Sequence, residues 1–127
     1  MVPKNKISAK NLINSFRCAI SGFWEVLIHE PSFRYMVVIA VFVLIAMFIF
    51  PTSRMEKVAV LTMIFAVLCL ELINSVFERF LDFLQPEYDE RVRIIKDAMS
   101  AIVLVVSLGA AIIGIIVFLP HFYNLFR

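Results

Sequence analysis

Three long apolar runs organise the chain. Residues 36–50 carry no polar side chain and follow Arg34. Residues 58–70 are uncharged, after which Glu71 interrupts the run. Residues 98–119 hold 22 consecutive positions without a charge. A hydrocarbon core of about 30 Å needs roughly 20 helical residues to cross it. The third run meets that alone and the first is slightly short. The second reaches it only if its helix continues past Glu71. The pattern predicts spans over about 33–50, 56–84 and 93–119. Ahead of them, Leu12, Phe16, Ile20, Phe23 and Leu27 recur at spacings of three and four, with Ile13 and Trp24 alongside. Asn11, Asn14, Ser21, Gly22, Glu25 and His29 take the other face. One apolar stripe with basic residues nearby predicts an amphipathic helix over about 8–29 that lies in the membrane interface. Ser8 suits its N-cap, Pro31 ends it, and Glu30 sits at the bend. Residues 1–7 are expected to fray. The fold class is an all-α integral membrane protein, one domain over residues 1–127.

The breaks between runs are short. "FPTSRMEK" predicts a turn on one side of the membrane, and "LQPEYDERVR", broken by Pro86, a loop on the other. Ser107, Ala110, Ala111 and Gly114 place small residues along the third span, so that face is expected to pack against another helix. The composition agrees: 62% of the residues are hydrophobic, and mean hydropathy is +0.94. The first thirty residues contain no short apolar core followed by a small-residue cleavage site, so the N-terminus is expected to be retained.

Net charge is only +2, but its distribution sets an orientation. With the N-terminus in the cytoplasm, Lys4, Lys6, Lys10, Arg17, Arg34, Arg79, Arg91, Arg93 and Lys96 lie inside, and Arg54, Lys57 and Arg127 outside. Nine against three follows the positive-inside rule. The expected arrangement is a multi-pass membrane protein with a cytoplasmic N-terminus. Cys18 and Cys69 are expected to pack without a disulfide.

The interruption in the second span has a pattern. Each helical residue turns by roughly 100°. With Glu71 as the origin, Asn74 falls at about −60°, Ser75 at about +40°, Glu78 at about −20° and Asp82 at about +20°. Three carboxylates and an amide share one stripe. Residues 58–70 cover roughly 20 Å at ~1.5 Å per residue, which leaves Glu71 inside the hydrocarbon near its inner boundary. Glu78 lies about 10 Å further on, near water. An ionised carboxylate in lipid is costly and marks function. Asp82 and Arg79, nearer the interface, are expected only to snorkel.

At the start of the third span, Lys96 and Asp97 stand at the same level, with Ser100 one turn deeper. Antiparallel helices would bring Lys96 to the carboxylate stripe, and Glu30 lies at that level too. Carboxylates and a lysine at a lipid–water boundary suit Mg²⁺ and phosphates, because hard cations take oxygen ligands. The three glycines, Gly22, Gly109 and Gly114, form no GxxxxGK[ST] phosphate loop.

The stretch "ELINSVFERFLDFLQPEYDERVRIIKDAMSAIVL" resembles the signature of the small prokaryotic diacylglycerol kinase family, which includes the undecaprenol kinases. "SFRCAISG" and "HEPSFR" upstream are similar as well, and the resemblance extends over about residues 11–119. It implies a homotrimer of chains with a surface helix and three spans. Such enzymes use MgATP to phosphorylate the hydroxyl of a lipid alcohol, at sites shared between subunits. Carried over by residue, Glu71 is the general base, and Glu30 and Glu78 hold the metal. Asn74, Lys96 and Asp97, with Glu87, Tyr88 and Asp89 of the loop and Cys18 of the first helix, surround the nucleotide. Phe33, Arg34 and Ser100 join Glu71 at the lipid. The family often has tyrosine at Cys18, arginine in some members at Asn11, and histidine at Asp89. The resemblance leaves open whether the lipid is diacylglycerol or undecaprenol. ATP, a lipid alcohol, the bilayer and further copies of the chain are the expected partners, and nucleic acid is not.

Two other functions fit parts of the pattern. A small proton-coupled exporter could use Glu71, but would place it at the bilayer midplane and have little use for Lys96 and Asp97. A noncatalytic scaffold packing through the small residues of the third span leaves the polar stripe unexplained.

Overall fold

The computed structural model of the chain describes residues 8–127, so the expectation that residues 1–7 fray falls outside it. Four helices follow one another: α1 over Ala9–His29, α2 over Pro31–Ile49, α3 over Arg54–Leu84 and α4 over Glu90–Leu125. The last three are long and apolar enough to cross a membrane. Helix α3 packs against both α2 and α4, and α1 packs against α2.

Local chemistry explains each boundary. The Ser8 hydroxyl accepts from the Asn11 N–H at 3.3 Å and opens α1. Glu30 alone separates α1 from α2. It precedes Pro31, whose ring disfavours helical backbone in the residue before it, and its φ/ψ of −110°/103° is extended. Pro31 then opens α2, where its missing N–H costs nothing. At the far end of α2, the Thr52 hydroxyl donates to the Met47 carbonyl at 2.8 Å. Ser53 and Glu56 exchange side-chain and backbone hydrogen bonds in a capping box that starts α3.

Helix α3, 31 residues long, measures about 46 Å and exceeds the hydrocarbon thickness. Glu71 does not end it. Helix α4 is longer than the span expected to stop at 119. It continues through Pro120 to Leu125, as membrane helices can when neighbouring groups take up the freed carbonyl. The helices form an up–down–up bundle. At its Ser53 end, Met47, Val60 and Val117 make a buried core, with Leu44, Ile64 and Phe118 packed against it. There His121 Nε2 meets Glu56 Oε2 at 2.8 Å, and the Phe50 ring stacks on His121.

No more than 22% of the most apolar window of any span is buried. The remaining apolar surface suits lipid or further copies of the chain. Ser107, Ala110, Ala111 and Gly114 do not reach a close-packed contact within one chain. They line a cavity of about 330 Å³ between α2, α3 and α4, and a Cβ added at Gly114 would meet nothing within 4 Å. Both cysteines are free, as expected, but exposed rather than packed.

The Ser107 hydroxyl is buried beside that cavity without a hydrogen-bond partner. Ser107→Ala is therefore expected to raise stability by about 1 kcal/mol, since an unsatisfied buried hydroxyl is removed. Thermal denaturation in detergent micelles measures this. A loss of stability would contradict the reading of this hydroxyl as unsatisfied.

Candidate membrane-interface active site

Helix α3 carries the polar stripe where helical spacing puts it. Glu71 is 4% exposed, Asn74 8% and Ser75 2%, so three polar residues are buried on one length of an apolar helix. Glu78, one turn beyond Asn74, is half-buried. The Asn74 amide N–H donates to Glu78 Oε1 at a long 3.5 Å, while its buried Oδ1 has no partner. The Ser75 hydroxyl donates to the Glu71 backbone carbonyl at 3.0 Å, which satisfies that hydroxyl within the helix. Glu71 lies about 26 Å along the helix from Arg54 and about 20 Å from Leu84.

Two cross-element ion pairs gather further groups at the end of the bundle away from Ser53. Arg79 Nε donates to Glu30 Oε1 at 3.0 Å, and its other nitrogen lies 3.7 Å from Glu25 Oε1. His29 also touches Glu25, at 3.1 Å. The corner between α1 and α2 is thus held to α3 one residue from Glu78. Lys96 of α4 donates to Asp82 of α3, so Lys96 faces the helix that carries the stripe, as its position in the sequence predicts. Arg79 and Asp82 are more than snorkelling charges: each is the α3 partner that brings a charged group from another element to the stripe. For Asp82 the signal was its place on the Glu71 face, level with Lys96. Arg79 had no comparable signal, because its partner lies 49 residues away across a chain reversal.

The other residues expected at the site occupy the surrounding surface. Asp97 pairs with Arg93 on its own helix at 2.7 Å. Asp89 caps α4, accepting from the Arg91 N–H at 2.8 Å and pairing with the Arg91 guanidinium. That guanidinium, with the backbone N–H, holds the Asp89 carboxyl down to about 2. A depressed value means that the cap is intact above the usual carboxylate range and is lost as pH falls toward 2. The Tyr88 hydroxyl donates to Glu90, and that acceptor raises the Tyr88 pKa. Cys18, Glu87 and Ser100 are exposed. Among the described residues, no hydrogen bond or ion pair ties Tyr88, Asp89 or Asp97 to Glu71, Asn74 or Glu78. Phe33 is 1% exposed and packs edge-on against Phe23, with centroids 5.5 Å apart. Arg34 reaches back to cap α1, donating to the carbonyls of Leu27 and Ile28.

Among the described residues of one chain, no three His, Cys, Asp or Glu side chains gather as a metal cage. Mg²⁺ does not require one, because it is commonly held by one or two carboxylates together with phosphate oxygens and water. Glu30, tied to Arg79 next in sequence to Glu78, and Glu78 itself are hard oxygen donors of the kind that mode uses. The buried Asn74 Oδ1, without a hydrogen-bond partner, is a further oxygen donor beside Glu78.

The chain matches a family model described as prokaryotic diacylglycerol kinase over residues 17–118. It is 31% identical over 106 residues to a protein of Bacillus subtilis (strain 168) named undecaprenol kinase. That alignment covers 84% of this chain and 86% of the relative.

Proposed function

The chain belongs to the prokaryotic diacylglycerol kinase family, and from that premise we infer that it moves the γ-phosphoryl group of ATP, with Mg²⁺, onto the hydroxyl of a membrane lipid alcohol. Family membership makes it a membrane lipid kinase; donor, metal and lipid are the finer part of the inference. The observation that carries it is Glu71, a carboxylate only 4% exposed inside a membrane-length helix. The same face leads through Asn74 to Glu78 and the Glu30 corner.

The chemistry follows from depth. A lipid hydroxyl sits at the headgroup boundary, and only a base at that level can reach its proton. Glu71 takes that proton as the hydroxyl oxygen attacks the γ-phosphorus. The bond from the γ-phosphorus to the bridging oxygen breaks, and ADP leaves with the electron pair. Lys96 offsets phosphate charge, and its salt bridge to Asp82 keeps it oriented beforehand. Glu30 and Glu78 would hold the metal, which when bound neutralises charge across the β- and γ-phosphates. A proton-coupled exporter would give no role to the Glu30 corner or to Lys96.

The proposed assembly is a homotrimer whose sites are completed between copies. The largely uncovered spans support it. The proposed orientation places the Glu30 end of the bundle in the cytoplasm, where MgATP is available.

Undecaprenol is the first lipid to test, because the Bacillus relative so named aligns along most of both chains. Purified protein given undecaprenol and diacylglycerol side by side, with MgATP, is expected to phosphorylate undecaprenol faster. A higher rate on diacylglycerol would assign the other lipid. Activity on neither would remove the kinase proposal.

A further inference from the structure

We propose that Arg79 is a latch on the metal site: its guanidinium holds the Glu30 carboxylate before MgATP arrives, and surrenders it to the metal by turning onto Glu25. This deepens the proposed function and rests on Glu30 being a metal ligand.

Three features of the corner carry the proposal. First, the Glu30 side chain makes no capping bond to α2, although the residue occupies the N-cap position. Its carboxylate is committed to Arg79, at 3.0 Å. The guanidinium engages Oε1 alone, but its positive charge opposes a cation at either oxygen of that carboxylate. Metal binding at Glu30 must therefore displace Arg79 or share with it.

Second, Arg79 has somewhere to go. Glu25, on α1 and five residues before Glu30, already lies 3.7 Å from a second guanidinium nitrogen. A small rotation converts the loose contact into the main one. His29 Nδ1, 2.9 Å from the Glu25 backbone carbonyl, also lies 3.1 Å from the same carboxylate oxygen. The chain corner stays attached to α3 throughout, because one of the two carboxylates is held at every stage.

Third, the exchange meets little resistance. The Arg79, Glu30 and Glu25 side chains are 41%, 23% and 56% exposed, and ion pairs as open as these are weak. Arg79 also follows Glu78 directly. Its departure from Glu30 removes a positive charge that opposes a cation at that carboxylate.

The test uses the full-length protein in detergent or bilayer, with Mn²⁺ and a non-hydrolysable ATP analogue. Bound metal is read from the free Mn²⁺ EPR signal, and movement of α1 from the fluorescence of Trp24, the single tryptophan, next to Glu25. Arg79→Gln is expected to lower the half-saturating Mn²⁺ concentration by roughly two- to fivefold, the size of one partly exposed ion pair. Glu25→Gln is expected to raise it by about twofold, because Arg79 then keeps to Glu30. A purely structural role for Arg79 would not move the two variants in opposite directions. The latch is overturned if both leave half-saturation unchanged while Glu30→Gln weakens Mn²⁺ binding. If Glu30→Gln also binds Mn²⁺ normally, the assignment of Glu30 as a metal ligand fails, and the latch with it.

Discussion

Glu71→Gln is expected to reduce lipid phosphorylation by about 10³-fold while the protein stays folded and continues to bind nucleotide. General-base catalysis contributes roughly 10² to 10⁴, and the amide keeps the shape of the carboxylate but cannot accept the hydroxyl proton. The neutral side chain suits its buried position, so thermal stability should hold or rise. The measurement is the rate of lipid phosphate formation at saturating MgATP, alongside nucleotide binding and a melting curve. If Glu71→Gln turned over at the normal rate, the base would have to be sought elsewhere on the stripe. If it instead lost nucleotide binding with chemistry intact, Glu71 would belong to the nucleotide contacts.

Glu78→Gln should have an effect of similar size and different character. Removing one of two carboxylates from the proposed metal site is expected to cost about 10²-fold in rate, within the range for loss of one electrostatic contact to the transferring group. Part of that loss should return at high Mg²⁺ or with Mn²⁺, because the missing contact weakens binding of the metal rather than the chemistry that follows. No metal concentration should rescue Glu71→Gln. Titrating Mg²⁺ against both variants separates the two roles. Equal rescue of both, or of neither, would contradict the division of labour along α3.

The stripe itself, as distinct from the roles along it, was visible in the sequence because a helix fixes angles. Helical spacing counted from Glu71 puts Asn74, Ser75 and Glu78 on one face, and the structure buries the first two with Glu71. The spans were legible from apolar run length, and the α1–α2 break from Pro31 acting on Glu30. The Ser53–Glu56 capping box lay open in "SRME" as Ser-x-x-Glu, a pattern whose reciprocal hydrogen bonds start α3 inside the segment that composition assigns to a turn.

Other features depended on the fold. Pro120 reads as a helix stop because it lacks an N–H, yet α4 carries on past it. Arg79 and Asp82 gain their roles only from partners on other elements, which periodicity along one helix cannot supply. Asp89, set at the nucleotide by resemblance, takes a local structural position as the cap of α4. A carboxylate there accepts the first N–H groups of a helix whatever else it contacts. The small-residue face of α4 lines a cavity against α2 and α3 rather than a close helix contact, which spacing along α4 alone cannot foresee.

The most direct test of the whole account is to follow the γ-phosphate itself. Purified protein in bilayers is given γ-labelled ATP and a lipid alcohol, with and without Mg²⁺. The account predicts label on the lipid as a phosphate monoester, dependent on Mg²⁺ and abolished in Glu71→Gln. Folded, nucleotide-binding protein that leaves every lipid alcohol unlabelled would contradict it.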